Sequence, residues 1–352
     1  MSEPLIVGAG IGGLTAAVAL AAHGRSCTVV ERSPALSASG YGIQLPPNAT
    51  RVLAGLGLGP ALEAVSLRLE AREIRRWADG SLLGSAALDR WDAPYLSLRR
   101  AALLRVLHSR IAGVQFGRSF GSADERLVVG ADGLHSAVRG RRASDGFGRS
   151  FASADGRLVV GADGLHSTVR GRLASDGLVD VGYTAYRAVL PVRDARPVVS
   201  VWLGPGAHVV AYPVPDGLNV VAVTDGLHSF DGWDEPVRAL ARACMRGFVL
   251  YTRAPLPAWH RDGVVVIGDA AHPMPPFLAQ GAAQAIEDAA ALPDYLDDLA
   301  GFEAARRPRV ERVVAVSVAG GHEYHLADGA EQRRRDKQIA AAEPPGQDWL
   351  YT

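Results

Sequence analysis

The chain has 352 residues, which is enough for one large domain or two modest ones with a full hydrophobic core. Lysine plus arginine and aspartate plus glutamate number 37 each, so the formal net charge is zero and nucleic acid is not expected as a partner. Only two cysteines, no signal sequence and no long apolar run predict a cytoplasmic protein without disulfides or a membrane span.

The N-terminal segment has the pattern of a βαβ unit. A short apolar strand leads into the run GAGIGG from Gly8 to Gly13, and a helix of small residues follows. Gly8 permits a tight turn, Gly10 lets a pyrophosphate approach the backbone, and Gly13 lets the helix pack closely. Glu31 ends the second strand, where a carboxylate can accept hydrogen bonds from a ribose. The unit predicts dinucleotide binding with the phosphates at the helix N-terminus; a glycine-rich loop without a ligand is the alternative.

The next segments surround this unit. Residues 39–48 are rich in glycine and proline, so we expect a loop that returns toward the nucleotide, with Asn48 or Thr50 capping the following helix. Residues 67–83 alternate apolar and charged side chains loosely, as the strands of a β-rich layer do. The pair Arg99-Arg100 precedes a helix, where cations oppose the helix dipole. These two arginines are either solvated or in contact with a cofactor phosphate.

Residues 116–146 and 147–177 form a tandem repeat with a period of 31 residues and four differences. Each copy contains LVVGADGLHS, which predicts a buried strand ending in a turn, at Asp132-Gly133 in the first copy and at Asp163-Gly164 in the second. A parallel sheet has one position for such a strand. The copies therefore compete for it, or one lies outside the core, and we interpret the repeat as a recent duplication.

Beyond the repeat, residues 179–225 contain four strand-like runs separated by glycine-rich turns, which predict an antiparallel sheet. Such a sheet, inserted into a nucleotide-binding layer, can form one wall of a small-ligand site. A further apolar strand ends at Gly268-Asp269, and a helix follows from Gly281 to Leu292. A polar strand end beside a helix N-terminus suits a phosphate or polyol ligand.

Together these elements predict an α/β fold in three segments. Residues 1–177 and 259–352 form a Rossmann-like nucleotide-binding part, and residues 178–258 form an inserted antiparallel β-sheet that binds the substrate. The last helices are expected at about residues 301–318 and 329–342.

The motifs resemble those of the single-component, FAD-dependent aromatic hydroxylases, the family that includes salicylate and hydroxybenzoate hydroxylases. The resemblance covers nearly the whole chain. Its markers are GAGIGG with Glu31, Gly42 to Asn48, Arg100, Asp163-Gly164, Gly268 to Pro273, Gln280-Gly281, Glu287-Asp288 and Glu303 to Arg309. The resemblance implies an FAD-binding Rossmann-like fold, FAD as cofactor, NADPH or NADH as co-substrate, dioxygen, and a small aromatic substrate.

The resemblance also implies roles for individual residues. Glu31 holds the adenosine ribose, Arg100 contacts the polar chain of FAD, and Asp269 binds the ribityl hydroxyls. The loop from Pro275 to Ala282 lines the isoalloxazine ring, and Asp163-Gly164 contacts both the flavin and the reduced nicotinamide. The predicted cofactor-binding residues are Gly8, Gly10, Gly13, Glu31, Arg32, Arg100, Asp163, Gly164, Gly268, Asp269, Pro276, Gly281 and Ala282.

The second copy of the repeat is the one we expect in the cofactor site. Its distance from the strand at 182–187 is similar to the family's, whereas Asp132-Gly133 lies one repeat too far back. The family's β-meander before this strand is shortened here, and the extra copy stands in its place. Ala279 and Ala283 are smaller departures, since relatives often carry Gly and Asn at these positions.

The chemistry implied by the resemblance belongs mainly to the flavin. After reduction by NADPH or NADH, the flavin reacts with dioxygen to a C4a-hydroperoxide, which transfers one oxygen atom to an electron-rich ring carbon of a small phenolic or heteroaromatic acid. The protein excludes water, orients the substrate and helps to ionise a phenol.

His208 and Tyr212 are the predicted catalytic residues. On a strand, residues four apart point to one face, and related hydroxybenzoate hydroxylases carry a His and a Tyr at this spacing near the substrate. The imidazole can accept the phenolic proton; a structural histidine beside a core tyrosine is the alternative. Arg187 either pairs with a substrate carboxylate or makes a structural ion pair, which we prefer. For His272 we expect a packing role.

Three alternatives stay open. The chain could epoxidise or hydroxylate a larger or non-aromatic substrate with the same cofactor. It could also be a non-catalytic, flavin-binding remnant because of the duplication. A plain Rossmann dehydrogenase would bind NAD and no flavin, and the Gly268-Asp269 motif argues against it. The sequence does not predict the oligomeric state.

Overall fold

A computed structural model describes residues 3–38, 40–120, 157–226, 230–341 and 348–352 of the chain. The strands are β1 (Leu5–Val7), β2 (Thr28–Glu31), β3 (Gly42–Leu45), β4 (Ser66–Arg68), β5 (Ala71–Arg76), β6 (Leu82–Ala87), β7 (Leu96–Arg99), β8 (Gln115–Phe116), β9 (Val159–Gly161), β10 (Leu178–Leu190), β11 (Val198–Gly204), β12 (Ala207–Val214), β13 (Gly217–Thr224), β14 (Arg246–Arg253), β15 (His260–Arg261) and β16 (Val264–Val266). The α-helices are α1 (Ile11–Ala22), α2 (Pro47–Gly55), α3 (Gly59–Glu63), α4 (Arg100–His108), α5 (Glu235–Arg242), α6 (Gly281–Ala291), α7 (Leu299–Tyr324), α8 (Ala330–Ala341) and α9 (Asp348–Tyr351).

The first sheet has the strand order β15-β16-β9-β1-β2-β8 and corresponds to the predicted nucleotide-binding layer. Its inner strands run parallel and are short apolar runs, as expected of strands covered on both faces. Strand β1 lies between β2 and β9, with Val7 in register with Gly161. Helices α1 and α6 pack together in the same core, where Ile6 and Ile286 are fully buried. This sheet and its helices confirm the predicted α/β fold.

Strand β9 comes from the second copy of the tandem repeat. Val159–Gly161 fills the position between β1 and β16 in the parallel sheet. The corresponding strand of the first copy and its Asp132-Gly133 turn lie outside the described residues. The described central sheet therefore needs only one copy of the repeat.

Deletion of residues 116–146 is expected to leave the amount of FAD per chain unchanged. Residues 147–151 repeat residues 116–120 exactly, so the shortened chain keeps every described side chain in sequence order. The measurement is flavin released on denaturation, compared with full-length protein. A matched control deletes residues 157–187, which removes β9 and most of β10, and we expect it to be insoluble. A colourless, folded 116–146 deletion would show that the first copy is required.

The second sheet has seven strands in the order β14-β10-β13-β12-β11-β5-β6. It is antiparallel except where β11 and β5 run parallel. One face packs on α5 through Val237 and on the segment before α5 through Trp233. The other face packs on α7 and the C-terminal segment through Val313, Leu350 and Tyr351. Strands β5 and β6 give the β-rich layer predicted for residues 67–83, whereas the segment boundaries at 177 and 258 stay a prediction.

The third sheet, in the order β3-β7-β4, corrects one expectation. Residues 39–48 were expected to be an irregular loop, but Gly42–Leu45 forms a strand that pairs antiparallel with β7. Helix α2 then begins at Pro47, with Pro46 at the capping position, so neither Asn48 nor Thr50 is the cap. Asn48 and Thr50 are both residues of the helix. The helix begins before them because proline is well suited to the first helical turn.

Candidate active site

The glycines of the first loop have different surroundings. Gly8 has a φ of +105°, and a Cβ on Gly13 would lie 1.9 Å from the carbonyl oxygen of Gly8. A Cβ on Gly10 would meet only the Ala162 carbonyl oxygen, at 3.9 Å. Gly8 and Gly13 are therefore needed by the fold, whereas Gly10 faces open space. Helix α1 begins directly after it without a side-chain cap, so its first N–H groups are available to an anion.

Glu31 is fixed at the edge of this loop. Its carboxylate accepts hydrogen bonds from the backbone N–H groups of Ala9 and Ser33, both at 2.8 Å. These contacts hold the acid at the end of β2, beside the glycine-rich turn. Arg32 follows it and is exposed.

The Asp163-Gly164 turn lies directly against Gly8. A Cβ on Gly8 would lie 2.6 Å from the Ala162 carbonyl oxygen and 3.0 Å from the Asp163 Cα. The Asp163 carboxylate accepts hydrogen bonds from the backbone N–H groups of Thr168 (2.7 Å) and Val169 (3.3 Å). The Asp163 side chain therefore stabilises its own loop. Gly164, at φ +76° with open space around it, is the part of the pair that a ligand can approach.

Asp269 and Glu31 both lie within electrostatic reach of Arg100. Desolvation lowers the pKa of Arg100, and the charges of Asp269 and Glu31 act against that shift. Burial raises the pKa of Asp269, opposed by the charges of His272 and Arg100. The side chain of Asp269 is nevertheless accessible to solvent. A side chain that is both accessible and closely surrounded by protein lines a concave cleft.

A buried ionic network supports the Gly268-Asp269 turn from behind. Asp288 accepts hydrogen bonds from the Gly268 N–H (3.0 Å) and from Arg306 Nε (2.8 Å), and it pairs with His272 Nε2 at 2.6 Å. Burial alone would raise the pKa of Asp288, but the charges of His272 and Arg306 and these hydrogen bonds lower it to about 2. His272 also packs against Trp259, which supports its expected packing role.

Arg170 is a second buried support that the sequence reasoning missed. Its side chain is almost fully inaccessible, and it pairs with Asp176. Its Nη1 donates to the carbonyl oxygens of Ala270 (3.1 Å) and Ala271 (2.8 Å). Arg170 therefore connects the second repeat copy to the segment that carries Asp269. No local pattern predicts this contact, because its partners are about a hundred positions away in the sequence.

The loop from Pro275 to Ala282 joins the two halves of the site. Gly281 begins α6 beside Asp269: a Cβ on it would lie 3.8 Å from Asp269 Oδ1. Ala279 has a φ of +55°, a left-handed conformation that favours glycine. The Phe277 ring lies 5.6 Å from the His208 ring, centroid to centroid. The loop thus lies beside Asp269, a predicted cofactor-binding residue, and contacts the antiparallel sheet.

His208 and Tyr212 lie on one face of β12, and both are buried. His208 Nδ1 is hydrogen-bonded to His325 Nε2 at 2.7 Å. Burial and the neighbouring His325 lower the pKa of His208 well below its ordinary value, so the imidazole is neutral. Burial raises the pKa of Tyr212, with Arg187 the first of the groups that oppose the rise, so its hydroxyl stays protonated.

Arg187 shares this sheet face. It pairs in register with Val221, which lies two residues from Asn219, the partner of Tyr212. Its guanidinium lies 5.9 Å from the centre of the Tyr41 ring, and no described carboxylate lies within ion-pair distance of it. The structural ion pair that we preferred for Arg187 is therefore not found among the described residues.

The comparisons with known proteins agree with this geometry. The FAD binding domain family matches residues 1–224 and 250–305. A 3-amino-4-hydroxybenzoate 2-monooxygenase of Streptomyces platensis is 36% identical, and the match covers 98% of this chain and 94% of that protein. A 3-hydroxybenzoate 6-hydroxylase of Aquipseudomonas alcaligenes is 32% identical over 94% of this chain and 92% of that protein. The crystal structure of Klebsiella pneumoniae HpxO complexed with FAD and uric acid has the same fold, with a TM-score of 0.79, 22% identity and coverage of 99% of this chain and 95% of that one.

The chain belongs to the FAD-binding domain family. It is an FAD-dependent monooxygenase of the aromatic hydroxylase type, and the resemblance seen in the sequence is confirmed. Its residues fit FAD: the open space at Gly10, the free N–H groups of α1 and the accessible Asp269 carboxylate suit a pyrophosphate and a polyol chain. In the described residues, no helix has the length and apolar character needed to cross a membrane, and no cluster of metal-binding side chains occurs.

Proposed function

We propose that the protein inserts one oxygen atom from dioxygen into the ring of a small phenolic acid, with NADPH or NADH as the reductant. The relatives named for 3-amino-4-hydroxybenzoate and 3-hydroxybenzoate support this substrate class. The observation that carries the proposal is the contact of His208 with Phe277 of the Pro275 to Ala282 loop, with Tyr212 on the same face of β12. A ring placed between them lies next to the flavin-binding loop and beside a neutral imidazole.

The cofactor contacts are proposed as follows. Gly10 and the α1 N-terminus hold the pyrophosphate, and Gly8 and Gly13 shape the turn. Glu31 binds the adenosine ribose, with Arg32 beside it at the surface. Further contacts come from Arg100 and Asp269 to the ribityl and phosphate chain, from Pro276, Gly281 and Ala282 to the isoalloxazine ring, and from Gly164, held by Asp163, to the flavin and the nicotinamide.

FAD supplies the activation of dioxygen once it is reduced. The residues of the chain bind, orient and deprotonate the substrate. Neutral His208 accepts the phenolic proton, because the neutral imidazole is the form that can act as a base. The protonated Tyr212 hydroxyl donates a hydrogen bond that orients the substrate. Phe277 and the apolar core around it keep water away from the reacting atoms.

The test measures NADPH and NADH oxidation by the FAD-loaded protein with a panel of amino- and hydroxybenzoates and of larger and non-aromatic compounds, with product identification by mass spectrometry. Stimulated oxidation with a product heavier by one oxygen atom supports the proposal. Oxidation stimulated only by large or non-aromatic compounds supports the broader-substrate alternative. A folded protein that holds FAD but oxidises neither nucleotide with any compound would be the remnant, and the proposal would be wrong.

His208→Asn is expected to lower substrate-stimulated turnover about 100-fold per bound FAD, since a general base contributes on that order. Asparagine keeps a polar side chain of similar reach but cannot take up the proton. The measurement is steady-state turnover normalised to flavin content. His23→Asn, a surface histidine at the end of α1, is the matched control and should leave turnover unchanged. Normal turnover per bound FAD in His208→Asn would leave the histidine a structural role only.

We also place the protein in the cytoplasm, without a nucleic-acid partner. The support is a balanced charge and two cysteines, Cys27 and Cys244, which are both free thiols. Burial raises the pKa of each thiol to about 11, so neither is a reactive thiolate at neutral pH.

A further inference from the structure

His208 and His325 form a buried histidine pair between the antiparallel sheet and the end of α7. His208 Nδ1 lies 2.7 Å from His325 Nε2, the ring centroids are 4.9 Å apart, and the ring planes differ by 29°. The two rings therefore meet end to end and nearly in one plane, so an N–H of one ring points at the lone pair of the other. A proton can pass along this contact without a movement of either ring.

The other ring nitrogen of His208 is available to a ligand. Within the described residues, its Nε2 makes no hydrogen bond and is not closed off from solvent. The ring also contacts Phe277 of the Pro275 to Ala282 loop. His208 therefore has one nitrogen open to a bound molecule and the other nitrogen bonded to His325.

The two histidines differ in how well they can hold a positive charge. His208 lies within β12, and burial together with the neighbouring His325 lowers its pKa well below the ordinary value. His325 is the residue that caps the C-terminal end of α7, a helix of 26 residues. This end of a helix carries a partial negative charge, which stabilises a cation beside it. A proton shared by the pair is therefore better placed on His325 than on His208.

The tyrosines around His325 leave the proton on the histidine pair. The ring of Tyr183 on β10 lies 4.4 Å from the His325 ring, centroid to centroid, and Tyr324 precedes His325 in α7. Burial raises the pKa of both tyrosines, so both stay protonated and neither can accept a proton. Tyr324 is also close to two opposite charges, those of Arg72 and Glu323.

Asp225, directly after β13, adds a negative charge on the same side. A Cβ on Gly206 would lie 2.9 Å from Asp225 Oδ2, and the Gly206 N–H donates to the His325 carbonyl oxygen at 3.1 Å. Asp225 also raises the pKa of Tyr183, after the larger effect of burial. A negative charge at this distance favours a cation at His325 further.

We propose that His325 takes over the proton that His208 removes from the phenol of the substrate. As the phenolic O–H bond breaks, its proton binds His208 Nε2, and the proton of His208 Nδ1 moves to His325 Nε2. The phenolate then carries the negative charge and His325 the positive charge, while His208 is neutral again. This inference rests on the proposed function and adds a positioning residue to it, since His325 acts through His208 rather than on the substrate itself.

The experiment follows the binding of 3-hydroxybenzoate to the FAD-loaded protein at neutral pH. Ultraviolet difference spectra report whether the bound ring is a phenol or a phenolate, and calorimetry in buffers of different ionisation enthalpy counts the protons released per ligand. We expect a bound phenolate without net proton release, because the proton stays on His325. A single histidine that passes the proton on to water would release it to the buffer.

His325→Gln separates proton transfer from ring placement. The glutamine Oε1 can accept the hydrogen bond from His208 Nδ1 but cannot take up the proton. We expect the ratio of phenolate to phenol, and turnover per bound FAD, to fall about tenfold, as loss of a charge-stabilising contact allows. With His208→Asn also present, turnover should be no lower than with His208→Asn alone, because the two residues act in one step. His322→Gln changes an exposed histidine in the last turn of α7 and, as the matched control, should leave both quantities unchanged.

The outcomes separate this inference from the proposed function. The role of His325 is overturned by a His325→Gln protein with wild-type phenolate formation and turnover, by a wild type that binds the ring as the phenol, or by a wild type that releases the phenolic proton to the buffer. Benzoate-stimulated NADPH or NADH oxidation in the wild type would still support the proposed function in each of those cases, and its absence with every ring compound would overturn both. The proton count needs only the wild type, so it stays decisive if His325→Gln loses its fold.

Discussion

Gly10→Val is expected to give a folded protein that purifies without flavin. A Cβ at Gly10 would meet only the Ala162 carbonyl oxygen, at 3.9 Å, so the protein itself has room for a side chain there. The space that the valine would fill is the space through which a pyrophosphate approaches the backbone at the start of α1. Flavin released on denaturation and the visible spectrum measure the loss, and circular dichroism checks the fold.

Two other glycine variants make this result specific. Gly13→Val should fail to fold, since its Cβ would lie 1.9 Å from the Gly8 carbonyl oxygen. Gly55→Ala should stay yellow and fold normally, because no atom lies within 4 Å of that Cβ at the end of α2. A Gly10→Val protein that retains a full complement of FAD would remove the basis for placing the pyrophosphate at this loop.

Local sequence signals predicted the elements whose side chains carry a pattern of their own. Each of these patterns depends only on residues close together in the sequence. They are the glycine-rich turn, the acid at Glu31 and the four strand-like runs between 179 and 225, and the structure contains the corresponding elements. The antiparallel sheet follows from alternation and turns because both act within a few residues. Its neighbours β5 and β6 were visible only as loose alternation, since β5 joins the sheet through a long-range pairing with β11.

The strand Gly42–Leu45 shows where local reasoning fails. Its glycine and proline content predicts an irregular loop, but its backbone pairs with β7, and the Gly42 N–H donates to Asn219 Oδ1 across 177 positions of the sequence. Tertiary pairing of this kind overrides a weak strand propensity. The candidate site has the same limit: His208 and Tyr212 could be predicted as a pair, whereas the contact of His208 with His325 has no local signal.

The Glu287-Asp288 pair could be recognised in the sequence as a family motif, but its structural role could not. In the sequence it was one feature of a family resemblance, without an assigned function. In the structure, Asp288 is fully buried beneath the Gly268-Asp269 turn and bonded to Arg306 and His272. Its partners lie sixteen to twenty positions away, on other elements, so their meeting depends on the packing of α6 against α7.

Asp288→Asn is expected to lower the free energy of unfolding by about 3 kcal/mol at neutral pH, which is typical of removing one member of a buried ion pair. The amide keeps the shape but leaves Arg306 and His272 with less counter-charge, and the turn that presents Asp269 loses its support. Urea unfolding measures the change. Glu311→Gln is the matched control: its pair with Arg307 is exposed, so the expected loss is below about 1 kcal/mol.

Wild type and Asp288→Asn also test how the free energy of unfolding depends on pH. The folded-state pKa of Asp288 is about 2, below the ordinary value of about 4 for an unfolded chain. A carboxylate with a lowered pKa contributes stability that is fully present above the unfolded value and is lost as the pH falls through the folded one. The difference between wild type and Asp288→Asn should therefore be constant from pH 7 to about 5 and narrow as the pH falls from about 4 toward 2. A difference below 1 kcal/mol at pH 7, or one that grows on acidification, would mean that Asp288 is not held as a buried carboxylate.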